Sequence, residues 1–314
     1  MKKLLLVSLI LGLLILSACE SSDDKTKGIS GEDRFVGGTE GLKLEFVENS
    51  PPNKVFTGNP FDISLRVRNV GDADVNVQDV KAKLSGIGGS SWGLDDGKET
   101  ISPTGDLAKS EKLPDKSILP GGEAYIEYLG LNYGSETGIG NYPIRIELCY
   151  PYENTAETKL CILEDFRSDT GKICKLGTKT VYNSGGPVQI SEIIDSQSGS
   201  GTSFRFTLTK KGTGTLYTQG TNCFPDTSKV EEVRETQKNT DWIFVDIDTK
   251  NEISGLKCSG LKDGDATSGL FRLGTGVVTC TLSGESVNNN RLQAIDIGVK
   301  YQYLQSVDKA LVLE

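Results

Sequence analysis

From residue 41 onward, apolar and polar residues alternate with a period of two. Leu42, Leu44 and Phe46 are separated by polar neighbours, Pro51-Pro52 interrupts, and Phe61, Ile63, Leu65 and Val67 then alternate with Asp62, Ser64, Arg66 and Arg68. This spacing puts one set of side chains on each face of an extended chain, and predicts antiparallel strands with one face in a core and one in water. Asn69-Val70-Gly71-Asp72 has turn chemistry, and Val75 and Val77 predict a returning strand. Residues 125–133 and 142–150 are two further strand-like runs, the second with Tyr142, Ile144, Ile146 and Leu148 on one face. Residues 85–122, rich in Gly, Ser, Asp and Pro, read as a long loop or irregular edge, with Trp92 as a lid over the end of a core. No long segment carries an apolar stripe at 3.6-residue spacing; Ser228 to Lys238 predicts one short helix.

The second half repeats the first in outline. Ser203 to Leu216 overlays Asp62 to Val75, so that Phe204, Phe206 and Leu208 fall on Ile63, Leu65 and Val67, and Gly212 falls on Gly71. Short strands follow at 242–247, 255–258, 277–282, 294–299 and 310–313. Many short strands between Gly and Asn turns predict an all-β protein of two antiparallel β-sandwich domains, at 41–170 and 188–314, with 171–187 as linker.

Ahead of the strands stands a different pattern. Lys2 and Lys3 precede an apolar run from Leu4 to Leu16, with only Ser8 and Gly12 inside it, and Leu16-Ser17-Ala18-Cys19 closes it. The run is shorter than the roughly 20 residues that a helix needs to cross a bilayer, so it predicts an export signal over 1–18. The motif resembles the lipoprotein signal of bacteria and archaea. That resemblance implies lipidation at Cys19 and an extracytoplasmic protein held at the membrane by lipid. Residues 19–40 are predicted to be a flexible tether, with a reach of roughly 25 Å.

Composition narrows the chemistry. The net charge is −9, and removal of Lys2 and Lys3 with the signal makes it two units more negative, which disfavours nucleic acid as a partner. There is no histidine, so serine or cysteine nucleophiles activated by histidine are excluded, and so is the commonest metal ligand. No cofactor or metal is expected. Apart from Cys19, the chain has Cys149, Cys161, Cys174, Cys223, Cys258 and Cys280, an even count suited to a disulfide framework in an exported chain. Six cysteines allow 15 pairings. Strand reading favours Cys149 with Cys161 across a turn at 152–159, Cys258 with Cys280, and by remainder Cys174 with Cys223. The acidic runs Asp246 to Glu252 and Asp263-Gly264-Asp265 read as solvated turns; the first has Lys250 and Asn251 where a calcium loop needs an oxygen ligand and a glycine. Tyr125, Tyr128, Tyr133, Tyr142, Tyr150 and Tyr152 read as strand residues before they read as a sugar-stacking platform.

The stretch from Phe61 to Val75, with Arg68-Asn69-Val70-Gly71 at its centre, resembles the core hairpin of CARDB-like domains, Ig-like modules of surface proteins related to cell adhesion. The resemblance implies that both sandwiches are Ig-like. The turn Lys210-Lys211-Gly212 departs from the Arg-Asn-x-Gly pattern. The layout is also similar to lipobox proteins of small-genome archaea, on Gly38 to Leu42, Cys149-Tyr150-Pro151-Tyr152 to Cys161, and Val299 to Tyr303. These readings together predict a lipid-anchored cell-surface binding or structural protein without catalysis, acting on a surface protein or glycan partner. The alternatives are an envelope-polymer hydrolase with a carboxylate pair, or a glycan-binding module. Binding is expected on the 85–122 excursion, with residues 90–112 dispensable for stability.

Overall fold

The structure is a computed structural model, and it describes residues 31–314 except 87–88, 96, 134–137, 164–173, 200, 251–254 and 283–289. The predicted signal, Cys19 and residues 19–30 of the predicted tether lie outside the described residues. The alternating segments form the expected all-β fold of antiparallel sheets. In the first half these are β1 (Leu42–Phe46), β2 (Lys54–Val55), β3 (Phe61–Asn69), β4 (Lys81–Ser85), β5 (Thr100–Ile101), β6 (Thr104–Gly105), β7 (Glu111–Lys112), β8 (Ile118–Leu119), β9 (Glu123–Leu131) and β10 (Gly140–Ile162). The second half holds β11 (Gly177–Lys179), β12 (Tyr182–Asn183), β13 (Val188–Ser198), β14 (Gly201–Lys210), β15 (Thr215–Tyr217), β16 (Trp242–Asp248), β17 (Leu256–Ser259), β18 (Ser268–Arg272), β19 (Val278–Leu282) and β20 (Arg291–Leu313). Helix α1 is the single turn Gly31–Arg34, and α2 (Val230–Lys238) is the predicted short helix.

Three sheets build the body. One has the order β1-β3-β9-β6 and another β11-β13-β14-β19-β17. The third is nine-stranded, with the spine β18-β16-β20-β10-β4-β5. Its centre is the pairing of β10 with β20, antiparallel and in register from Gly140↔Leu313 to Ile162↔Arg291. At about 3.4 Å per residue that 23-residue ladder is roughly 75 Å long. Residues 144, 146, 148, 150, 152, 154, 156, 158 and 160 of β10 are all buried, so one face of this sheet is a core face along its whole length. Each fully buried Ile or Leu among them contributes about 1.5–3 kcal/mol of transfer free energy.

The two smaller sheets cover that one face side by side. At the first, the Tyr128 hydroxyl donates to the Glu99 carbonyl at 2.9 Å and Gln305 Nε2 donates to the Leu42 carbonyl at 2.9 Å. At the second, the Cys161 amide donates to Asp195 at 2.8 Å. One apolar core runs through both layers from Leu42 to Leu313. The predicted halves 41–170 and 188–314 therefore meet as two lobes that share β10 and β20, and residues 31–314 make one compact unit. The predicted linker is itself sheet: β11 pairs with β13, and β12 pairs with β10.

Four further expectations are corrected. The strand predicted at Val75 and Val77 is absent; residues 77–79 form a 3-10 turn, because the chain crosses there to the other sheet and resumes at β4. The turn predicted at 152–159 is instead the middle of β10, so Cys149 and Cys161 sit in one strand, about 40 Å apart, and cannot pair. Cys149 pairs with Cys223, and Cys161 with Cys174. Cys258 pairs with Cys280 as expected, across neighbouring strands of one sheet. Residues 90–112 are not dispensable: Trp92 and Leu107 are buried, β5 pairs with β4, and β6 pairs with β9. Trp92 is the lid expected, with its ring against Phe61, Tyr133 and Tyr142.

Candidate functional site

The site with the most converging chemistry lies at the seam, where the lobes and the incoming chain meet. Residues 31–40, expected as free tether, are fastened here. The Asp72 carboxylate, at the turn after β3, accepts from the Val36 amide at 2.8 Å, from the Gly37 amide at 3.1 Å and from the Gly185 amide. The Gly38 carbonyl accepts from Gln189 Nε2 at 2.8 Å and from the Gly186 amide at 3.3 Å. Phe35 is buried. Arg34 bridges Glu157 of β10 at 3.1 Å and Asp296 of β20 at 3.0 Å. These carboxylates are direct cross-strand partners, a repulsive arrangement for like charges, and Arg34 together with Lys250 on Asp296 compensates it.

Beneath the clamp, four tyrosines fix the seam. Tyr150 faces Tyr303 and Tyr152 faces Tyr301 across the ladder, and their rings pack edge to face or tilted. Burial pushes the Tyr150 and Tyr301 phenols well above their ordinary pKa, so both stay neutral. The Tyr301 hydroxyl donates to Asn154 Oδ1, whose own amide reaches Ser184. The Tyr152 hydroxyl donates to the Gly185 carbonyl at 3.0 Å. No room is left for a side chain opposite these phenols: a methyl group on Gly71 would lie 1.9 Å from the Tyr152 oxygen, and one on Gly212 would lie 2.2 Å from that of Tyr303.

Two of the clefts among the described residues are polar and open to solvent. One, of about 310 Å³, lies at the seam between Arg34, Phe35, Asp72, Lys109, Glu111 and Glu153. The other, of about 520 Å³, lies beside α2 between Gln219, Asn222, Glu232, Glu235 and Asn239. The Cys149–Cys223 bridge pins this second segment to the outer face of the long sheet. Both clefts are lined mainly by carboxylates, amides and hydroxyls, which suits polar contact more than burial of an apolar ligand.

The predicted site residues distribute as follows. All six cysteines expected in disulfides are bonded. Tyr128, Tyr133, Tyr150 and Tyr152 are core residues, Tyr142 is partly buried and Tyr125 alone of that set is exposed, so they form no common platform. Asp265 caps a turn by accepting from the Thr267 and Ser268 amides, each at 2.8 Å, and these hydrogen bonds hold its carboxyl below the usual range. Among the described residues, no cluster of three acidic or cysteine side chains is placed to hold a metal. Asp72 was readable only as a turn residue; its role as the clamp depends on Val36, Gly37 and Gly185, which sequence spacing does not bring together.

Comparison with known proteins adds little. No family model and no curated protein matches this chain. One solved structure, described as manganese lipoxygenase of Gaeumannomyces graminis with part of zonadhesin of Komagataella pastoris, aligns over 86% of this chain and 87% of that one. Its identity is 8% and its TM-score 0.13, values that carry no argument about fold or function.

Proposed function

We propose that this is a lipid-anchored, extracytoplasmic binding or envelope-structural protein, built of Ig-like sandwich lobes and acting without a chemical step of its own. The observation that carries this reading is the shared ladder, with disulfides tying β10 to flanking segments at Cys149 and Cys161: two lobes that share long strands hold their loops in fixed relative positions, as a spacer or display frame requires. Disulfides in the described residues favour an oxidising compartment, and no helix among them is long and apolar enough to cross a membrane. The lipobox at Cys19 supplies the anchor in this reading. The resemblance of residues 61–75 to CARDB-like hairpins supports an adhesion-related role. The carboxylates that face each other across the ladder, Glu157 and Asp296, are both committed to Arg34, which counts against their use as a hydrolytic pair.

The test is residue-specific crosslinking of the mature protein on intact cells, followed by mass spectrometry, beside a Cys19→Ser variant. A recurrent envelope partner crosslinked to the loops, and release of the variant from the membrane fraction, are the expected results. Turnover of an envelope polymer by the purified protein would overturn the reading.

A further inference from the structure

Strands β7 and β8 form a hairpin that joins none of the three large sheets. Its turn is closed by the Leu113 amide on the Ser117 carbonyl at 2.9 Å and by the Lys116 amide on the Leu113 carbonyl at 2.8 Å. Asp115 accepts from the Ser117 amide at 2.9 Å, which fixes the tip. The conformation is thus specified locally, yet its apolar side chains are left substantially open to solvent: Leu113 is 38% exposed, Ile118 54% and Leu119 51%. Leu113, Ile118 and Leu119 fall within seven consecutive residues, with Pro114 and Pro120 beside them. A cluster of this kind on a soluble surface marks an interaction site.

Its position identifies the occupant. The base of the hairpin, Lys109 to Lys112, lines the same seam cleft as Arg34 and Phe35, and Lys116 Nζ lies 3.9 Å from Asp33. The hairpin therefore leaves the body beside the point where the chain departs toward Cys19. Only residues 19–30 separate that point from the lipidated cysteine, a contour of at most about 42 Å. Any bilayer that holds Cys19 lies within this distance of Gly31, beside which the hairpin leaves the body. Charge does not oppose approach: Glu111 and Asp115 are matched by Lys112 and Lys116, so the hairpin is neutral on a protein of net charge −9. Lysines on apolar stems also suit the headgroup layer.

From this juxtaposition we infer that residues 111–119 are a second membrane contact, inserting Leu113, Ile118 and Leu119 into the interface of the bilayer that carries the lipid anchor. The inference rests on the anchoring reading. A lipid alone leaves a protein free to turn about its tether; a lipid plus a hairpin at the seam fixes which face looks outward. Three buried aliphatic side chains are too few to hold the protein unaided, and they act because the anchor has already brought them close.

The test uses the full mature protein with Trp introduced singly as Leu119→Trp, Ile139→Trp or Leu292→Trp, all exposed positions. Residues 139 and 292 mark opposite ends of the β10–β20 ladder. Each variant is reconstituted into phosphatidylcholine vesicles with acyl chains brominated at shallow depth, and the signal of the parent protein is subtracted. Mass spectrometry first establishes lipid on Cys19; its absence sinks the anchoring reading and this inference with it. With the lipid present, emission from residue 119 is expected to be quenched at least about threefold more than from 139 or 292, as contact at the interface requires. Equal quenching at the three positions overturns the hairpin contact and leaves the anchor standing. Quenching absent in vesicles, combined with crosslinking of residue 119 to a protein on cells, assigns the hairpin to a protein partner and also overturns the inference.

Discussion

The turn after β3 and the turn after β14 solve one problem twice, with different side chains. In the first lobe, the Val70 and Gly71 amides donate to the Gly41 carbonyl at 2.9 and 3.1 Å; in the second, the Lys211 and Gly212 amides donate to the Pro187 carbonyl at 2.7 and 3.2 Å. Each turn packs its glycine under a tyrosine from a long strand, Tyr152 or Tyr303. What differs is the residue just before. Asn69 is fully buried, and its amide nitrogen donates to the Ala73 and Leu107 carbonyls, both at 2.8 Å, while its oxygen accepts from the Gly71 amide at 3.1 Å. Lys210 is exposed and, among the described residues, its ammonium donates to the Gly214 carbonyl at 3.0 Å. The first turn binds a neighbouring loop and, through Asp72, the incoming chain; the second binds little beyond itself. The backbone arrangement is the repeat, and the polar side chains are where the lobes have diverged.

The largest expected effect tests whether the lobes are separate at all. The Cys149–Cys223 bridge closes 74 residues and ties β10 to the segment before α2. Replacing both cysteines by Ala should cost about 4 kcal/mol in the chain-entropy account. Because β10 belongs to both lobes, calorimetry should still show one transition at a lower temperature. Two resolved transitions would break the shared-strand picture.

The glycines come next. Gly71→Ala should destabilise by about 3 kcal/mol in chemical denaturation, and Gly212→Ala by about 1–2 kcal/mol, as overpacking does in rigid surroundings. The order follows from the neighbours: the methyl at 71 also meets the Gly185 carbonyl oxygen at 2.9 Å, whereas that at 212 meets the Pro187 side chain at 2.7 Å. Equal effects would mean that the two pockets yield alike.

The smallest effect separates the lobes by pH. Glu45 in β1 is paired with Arg66 in β3. Hydrogen bonds from Lys43 and then Arg66 pull its carboxyl down to about 2. A folded pKa below the unfolded value means that this stabilisation is complete above the usual carboxylate range and is lost as pH falls toward 2. In the second lobe the place of Arg66 is held by Thr207, an uncharged residue whose ladder partner is Glu192 and whose hydroxyl lies 2.7 Å from that of Ser191, the residue bulged out of the register. Glu45→Gln should flatten the decline of melting temperature between about pH 5 and 2, and Thr207→Val should leave that slope alone. An unchanged slope in Glu45→Gln would show the pair to be fully screened.

Period-two alternation was enough to find most long strands, because burial on one face imposes it directly on the chain. It also exposed the repeat of 62–75 at 203–216. It did not show that β10 continues through Cys149-Tyr150-Pro151-Tyr152. There the outward residues are Cys149 and Pro151, which blur the alternation, and the pairing partner lies in a distant strand. The disulfide scheme failed at the same place, since a turn inferred at 152–159 brought the wrong cysteines together. The seam clamp was hidden for a different reason: Arg34, Asp72, Glu157, Gly185 and Asp296 are ordinary surface residue types, and only the ladder register gathers them. Short strands such as β5, β6, β11 and β12 have too few residues to show a period.

The ladder has a consequence for how such a chain reaches its folded state. β20 is the last described strand in chain order, yet it is a central strand of the sheet that completes the first lobe. The first half, emerging first, lacks that strand and displays the edge of β10, with Ile144, Ile146 and Leu148 ready to pair with any other extended chain. Native pairing must await residues 291–313, a contact of high sequence separation and therefore slow closure. Synthesis of this protein would accordingly favour a holding factor that shields β10 until residues 291–313 arrive. Shortening the chain before β20 would harm the first lobe as much as the second.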